Sequence, residues 1–394
     1  ALRHPYSVDL YLEKVAAKAR FVLVRLLGGA DYWRYGVDEL SMLARSKGIH
    51  LALIPGDDRP DPRLAVASTL PTDNLDLLER WFAFGGPDNI SAALAFIAAR
   101  LGRDTAWRQP APQPAFGHFP GVCARGDRSV LIVGYRALVN AGDAAPIEAV
   151  AEELVKAGFA VLPVWVTSLK DPEVAGPLGE TMSDFKPDVI VNCTAFSARR
   201  DDGTTLLDAA DVPVIQAPLS TLSREAWASS SRGLSATDLA MSVVLPEVDG
   251  RLDGPVISFK APADRSEALE YTPIRHRPDE GGIAHLVRLV DGWTRLRRTP
   301  RADRRVGLVL SNYSGKGGRT AYAVGLDGPA SLIAIADDLR TAGYAGGPLS
   351  DEKALIASLE SGKATIDIPL ADYHGWFADL PEALRASMMA AWGV

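Results

Sequence analysis

Short apolar runs alternate with amphipathic stretches along most of the chain. Residues 20–29, Arg-Phe-Val-Leu-Val-Arg-Leu-Leu-Gly-Gly, read as a buried strand running into a glycine turn. Residues 36–47 carry helical spacing and stop at Gly48, which suits the left-handed position after a helix. A second strand is expected over 49–54, ended by Pro55-Gly56-Asp57-Asp58. Helices are expected over 75–84 and 90–101, the latter capped by Asp88 or Asn89.

Residues 108–121 hold four prolines and read as a connector or domain border. Beyond them the alternation is regular. Strands are expected at 129–135, 159–166, 189–193, 212–216, 241–245 and 256–260. Helices fall at 144–157, capped by Asp143 and stopped by Gly158, at 174–185 and at 223–229, with Ser223 as a second cap. Residues 281–298 form a long amphipathic helix whose apolar side is Ile283, Leu286, Val287, Leu289, Val290 and Trp293. A further strand at 304–310 precedes helices at 330–342, 351–359 and 381–392. The fold class is α/β: several βα-repeat domains with mainly parallel sheets covered by helices on both faces. The expected division is an N-terminal α/β domain at 1–115, a central parallel-sheet domain at 116–300, and the start of a third, truncated α/β domain at 301–394.

Composition narrows the function classes. With 42 basic and 49 acidic residues the net charge is −7, which argues against nucleic acid as a partner. A hydrophobic fraction of 47% with 23% charged residues excludes global disorder. No apolar run reaches the roughly 18 residues that span a membrane, so no membrane role is expected. Cys123 and Cys193 are seventy residues apart, form no CxxC, and favour a reducing, cytoplasmic setting. The chain opens at Ala1 without Met or an apolar leader, and Val394 follows directly on a helix-like stretch. A piece of a longer polypeptide is the expectation.

The six histidines, His4, His50, His118, His276, His285 and His374, form no HxxxH pair and sit near no cysteine, so no metal site is assigned. The loop Ser311-Asn-Tyr-Ser-Gly-Lys-Gly-Gly-Arg319 could cradle an anion with Lys316 and Arg319, but it lacks the first glycine and the Ser/Thr of a Walker A loop. Six arginines between 295 and 305 read as a cationic helix end plus linker. There is no GxSxG elbow, both cysteines read as inert thiols, and no catalytic residue is assigned. The better signal is positional, because ligands of parallel sheets bind at the carboxyl ends of the strands. Those ends are polar here: Tyr135, Arg136, Asn140 and Asp143; Asn192, Thr194 and Ser197; Gln216, Ser220, Ser223 and Arg224; Glu247, Asp249 and Arg251. The substrate-binding candidates are Arg136, Asn192, Gln216, Arg224, Glu247, Arg251, Lys316 and Arg319, a set suited to amide and carboxylate groups. The alternative is that these side chains merely cap helices.

Several segments, in order, resemble the large subunit of aerobic cobaltochelatase and, more distantly, the porphyrin-binding large subunit of magnesium chelatase. They are Val24-Arg-Leu-Leu-Gly-Gly29 with Tyr32-Trp-Arg-Tyr-Gly36, Ile54-Pro-Gly-Asp-Asp58, Asn140-Ala-Gly-Asp-Ala-Ala-Pro-Ile147, Val191-Asn-Cys-Thr-Ala-Phe-Ser197, Ser223-Arg-Glu-Ala-Trp227, Leu245-Pro-Glu-Val-Asp-Gly-Arg251 with Ser258-Phe-Lys260, Leu310-Ser-Asn-Tyr313, and Ala323-Val-Gly-Leu-Asp327 with Pro329-Ala-Ser331. The resemblance implies insertion of Co2+, as substrate metal, into hydrogenobyrinic acid a,c-diamide. It also implies ATP hydrolysis by partner subunits of AAA+ type, with no cofactor held strongly by this chain. The family's His-x-Gly-Thr-His-Gly-x-x-Glu motif is absent from these 394 residues, so a fragment inactive by itself is expected. The alternatives are a free-standing α/β small-molecule binding module and a docking platform for the ATPase subunits.

Overall fold

The computed structural model describes residues 2, 4–57, 59–120, 126–310, 325–349, 351–361 and 367–393. The chain divides into two compact units, Ala1–Thr294 and Arg295–Val394.

The first unit begins with a parallel pair, β1 (Phe21–Leu26) and β2 (His50–Pro55), in register from Phe21 opposite His50 to Leu26 opposite Pro55. They are joined through the helix Arg34–Lys47, which ends at Gly48 with φ 68°, the left-handed turn its sequence predicts. Alternation along β2 divides its side chains between two cores. Leu51 and Leu53 meet Val37, Leu40 and Ala44 on one face. Ala52 and Ile54 meet Leu78, Trp81 and Phe96 on the other, from the helices Thr72–Phe84 and Gly86–Arg100.

The central sheet has six strands: β3 (Phe116–His118), β4 (Arg128–Tyr135), β5 (Phe159–Val166), β6 (Val189–Asn192), β7 (Val214–Gln216) and β8 (Leu252–Asp253). Their order is β3-β5-β4-β6-β7-β8, all parallel except the antiparallel edge pair β3–β5. Val130 and Ile132 pack on Ile147, Val150 and Leu154 of the helix Ala145–Lys156, and on Ile283, Leu286 and Val290 of the helix Glu280–Arg298. Leu131 and Val133 pack on the opposite face against Val174, Leu178 and Met182 of the helix Pro172–Phe185. This is the expected α/β architecture with helices on both faces. From β4 the chain crosses first to β5 and then back past β4 to β6. The direction of winding therefore reverses between β4 and β6, where open α/β sheets leave a crevice.

Four expectations are corrected. Residues 241–245 are helical: Ser235 caps a segment running through Ala236–Leu239, a π-turn at Ala240–Val244, and Leu245–Val248. The apolar run Met241-Ser-Val-Val-Leu245 cannot be told from a strand by periodicity alone. The expected strand at 256–260 begins at Ser258 and lies outside the six-stranded sheet, with β9 (Ser258–Pro262) paired antiparallel to β10 (Ile274–Pro278). Residues 304–310 form no strand and carry no regular secondary structure, and Val309 is 97% exposed. Neither Asp143 nor Asp88 or Asn89 is a cap. Helix Ala145–Lys156 starts at Ala144 without a side-chain cap, and helix Gly86–Arg100 starts at Gly85. Asn89 instead pins the proline-rich connector, exchanging bonds of 2.9 and 3.0 Å with the Ala111 backbone.

The second unit contains the helices Gly328–Thr341, Glu352–Glu360, Leu370–Ala378 and Glu382–Trp392. The first of these is capped by Asp327, whose carboxylate accepts from Ala330 N at 3.0 Å.

Candidate functional site

The carboxyl edge of the central sheet carries a buried polar network. Asn192 closes β6 and Gln216 closes β7, and both are in register. Asn192 Nδ2 donates to Gln216 Oε1 at 2.7 Å, Gln216 Nε2 donates to the Thr194 carbonyl at 2.7 Å, and Thr194 Oγ1 donates to Asn192 Oδ1 at 2.9 Å. Arg251 donates to Gln216 Oε1 at 3.1 Å and to Asp249 Oδ2 at 3.0 Å. The Arg251–Asp249 side chains are 2% and 0% exposed, and Arg251 Nε finds no partner among the described residues. Burial pushes the Arg251 guanidinium below its ordinary value while the Asp249 carboxylate opposes the shift.

This network fixes the loop that follows β6. Asp249 accepts from Ser197 Oγ at 2.5 Å and from Ala198 N at 2.6 Å. Tyr135, at the end of β4, donates its hydroxyl to the Ala195 carbonyl at 2.8 Å and accepts from Ala195 N at 3.1 Å, bridging the crevice between β4 and β6. Phe196 N donates to the Met241 carbonyl at 2.7 Å. Arg199 donates to the Val248 carbonyl at 2.5 Å. Between these clamps Phe196 sits at φ 67° and is 48% exposed.

A second cluster joins Asp143 to β9 and β10. Its carboxylate accepts from Lys260 Nζ at 2.8 Å and from His276 N at 2.7 Å, and Ser258 Oγ lies 3.0 Å from His276 Nδ1. Burial pushes the Asp143 carboxyl up, but the Lys260 and His276 donors outweigh it and hold it below the usual carboxylate range. Burial lowers His276 to about 4, with Lys260 adding to the effect. A third buried carboxylate, Asp238, binds Thr221 N at 2.8 Å and Thr221 Oγ1 at 2.9 Å.

The eight candidates therefore separate. Asn192, Gln216 and Arg251 come together and are occupied with one another. Arg136 turns to the connector, donating to the carbonyls of Gln113 at 3.2 Å and Pro114 at 2.6 Å. Arg224, half-exposed, pairs with Asp279 at 2.8 Å and lies over the Trp227 ring at 5.1 Å. Glu247 is exposed on the Leu245–Val248 turn. Lys316 and Arg319, with the rest of their loop, lie outside the described residues. Sequence reasoning singled out neither Lys260 nor Phe196, and it assigned His276 to no metal site. A lysine in a β-rich run is a weak signal for a buried carboxylate, and a non-glycine residue gives no sign of a positive φ. Among the described residues no three His, Cys, Asp or Glu side chains converge on a point, and no helix is long and apolar enough to cross a membrane.

A model of the CobN/Magnesium Chelatase family matches residues 79–394. The aerobic cobaltochelatase subunit CobN of Sinorhizobium sp is 36% identical, over 100% of this chain and 34% of that protein. Its counterpart in Pseudomonas aeruginosa is 35% identical, over 100% and 33%. A magnesium-chelatase subunit of Rhodobacter capsulatus is 24% identical, over 88% and 32%. Among solved structures, the catalytic subunit of cobaltochelatase from Mycobacterium tuberculosis matches with a TM-score of 0.74 and 30% identity, over 98% of this chain and 33% of that one. The chain thus spans about a third of the length of these relatives. The resemblance read from the ordered segments is borne out: the chain belongs to the CobN/magnesium chelatase family.

Proposed function

We propose that the chain is the amino-terminal portion of the tetrapyrrole-binding large subunit of an ATP-dependent cobaltochelatase in cobalamin biosynthesis. The substrates are Co2+ and hydrogenobyrinic acid a,c-diamide, and AAA+ type ATPase partners hydrolyse the ATP in the cytoplasm. The observation that carries this reading is the match, at 36% identity over the whole chain, to an aerobic cobaltochelatase subunit. Because the match reaches only 34% of that protein, metal insertion belongs to the complete subunit, and this portion positions the macrocycle and the partner subunits. The division into 1–115, 116–300 and 301–394 is part of the same proposal.

Insertion requires that two pyrrole protons leave and that the cation lose its water. Both steps need a ring held still. Arg224 and Glu247 remain accessible for carboxylate and amide arms. Asn192, Gln216 and Arg251 serve as a rigid support for the loop after β6, to which they are tied through Thr194 and Asp249.

Cobalt insertion is followed by the absorbance change of the corrinoid. It is expected only with the complete large subunit, the ATPase partners and ATP together. Insertion by the 394-residue chain alone, or by the complex without ATP, overturns the reading. The platform alternative predicts binding of the ATPase subunits and none of the tetrapyrrole.

A further inference from the structure

We infer that Phe196 and the apolar stripe on the neighbouring helix form a docking face for the apolar, methyl-bearing ring of a macrocycle with carboxylate arms. This rests on the tetrapyrrole reading above and names the surface that would carry it. Three independent observations converge on the same few residues.

The first is place. Phe196 follows β6 next to β4, where the winding of the sheet reverses and ligands of open α/β sheets bind. The second is conformation. A bulky residue at φ 67° sits in the left-handed region, which glycine occupies without penalty. The loop is clamped on each side of it, by Tyr135 on Ala195 and by Asp249 on Ser197 and Ala198. A turn alone would be better served by glycine. Retaining a phenylalanine in a strained, over-determined loop and then exposing the ring points to a ligand.

The third is the neighbouring helix. Phe196 N–H takes the Met241 carbonyl, and the helix opens into a π-turn there, with Leu245 N reaching back to the Ala240 carbonyl. π-Turns of this kind gather at functional sites. Downstream, Met241, Val244, Leu245 and Val248 recur at spacings of three and four residues and are 37–51% exposed. A half-exposed aromatic ring and a half-exposed apolar stripe thus stand on segments tied together by the Phe196–Met241 hydrogen bond. Arg199, anchored through one guanidinium nitrogen to the Val248 carbonyl, borders the stripe with further N–H donors for a carboxylate. An apolar face with a cationic border complements a ligand whose methyl-bearing ring is apolar and whose arms end in carboxylates.

The test titrates the complete large subunit with hydrogenobyrinic acid a,c-diamide, reading tryptophan quenching and the ligand's absorbance bands. The Phe196→Gly variant should weaken binding by about tenfold or more, the scale of losing one stacked aromatic platform. Its melting temperature should hold or rise, because glycine relieves the left-handed strain. Phe196→Tyr should keep wild-type affinity, Arg199→Gln should weaken binding, and Leu94→Ala, an exposed position on a different helix, should change nothing. Wild-type affinity in Phe196→Gly while the wild type binds overturns the docking face and leaves the tetrapyrrole reading standing. Parallel loss of stability and affinity in Phe196→Gly makes the ring a structural element and also overturns it. Failure of the wild-type subunit to bind overturns both.

Discussion

Replacing Asp249 with asparagine isolates the charge in the carboxyl-edge network. The side chain keeps its shape. Its remaining oxygen can hold Ala198 N and Arg251, which share Oδ2 at 2.6 and 3.0 Å, and its new amide can donate to Ser197 Oγ, which accepts as readily as it donates. Geometry and hydrogen-bond count are therefore preserved. What changes is that the Arg251 guanidinium, 2% exposed and already short of a partner at Nε, loses its counter-ion. A buried charge stripped of its partner costs about 3–5 kcal/mol. That is a large share of the roughly 5–15 kcal/mol that hold a domain folded. With a urea slope near 3 kcal/mol/M, the midpoint should fall by roughly 1–2 M. Tryptophan fluorescence during urea unfolding reads the transition, and Trp293 lies close to the network, beside the same small cavity as Arg251. Removing both charges should cost less than removing one, so Asp249→Asn with Arg251→Met should be more stable than Asp249→Asn alone. A loss below about 1 kcal/mol in the single variant, or simple additivity in the double variant, refutes the claim that this pair is held desolvated and coupled.

Other consequences follow from the same structure. His276 is held at about 4 in the fold against 6.5 unfolded, so the folded state binds fewer protons between those values. The stabilisation is complete above about 6.5 and is lost as pH falls toward 4; urea midpoints at neutral and mildly acid pH should diverge more in the wild type than in His276→Gln, and equal slopes would remove His276 as the cause. Two glycines of the helix Glu280–Arg298 should respond with opposite signs. A Cβ at Gly282 would lie 2.0 Å from the Val256 carbonyl oxygen, so Gly282→Ala should destabilise by about 1–3 kcal/mol. A Cβ at Gly292 meets nothing within 4 Å, so Gly292→Ala should stabilise by about 0.5–1 kcal/mol in a thermal melt. Burial pushes the Cys193 thiol up to about 12, so mass spectrometry should find it unmodified by iodoacetamide in the native protein and modified after denaturation.

The sheet was legible in the sequence because its strands are short apolar blocks bounded by Gly, Pro and Asp, and because β5 at Phe159–Val166 is buried from both faces. The same rule failed at 241–245, where an equally apolar block is helical. Its deciding signal was local: Ser235 accepts from Asp238 N at 3.0 Å and starts a helix five residues earlier. Ser223 was readable as a cap because its hydroxyl serves its own helix, accepting from Ala226 N at 3.2 Å. Asp143 was not, because its carboxylate is claimed by Lys260 and His276, more than a hundred residues away in sequence. Capping preferences are local, and a long-range charge outbids them without leaving a trace in the neighbouring residues.

The same contrast bears on where a ligand would be recognised. Polar residues at strand ends look alike in a sequence whether they face a ligand or one another. Asn192, Thr194 and Gln216 satisfy each other, and any ligand that recruited them would first have to break charge-reinforced or fully buried bonds. Under the tetrapyrrole proposal, direct recognition falls to groups that keep both exposure and bonding capacity. The network still shapes this edge of the sheet, because its bonds converge on residues 194–198: Tyr135 holds Ala195, and Asp249 holds Ser197 and Ala198. Loosening any of these clamps should let Phe196 relax out of its left-handed conformation. On the docking-face proposal, the buried polar residues act one step behind the ligand, through the position they impose on an exposed apolar ring.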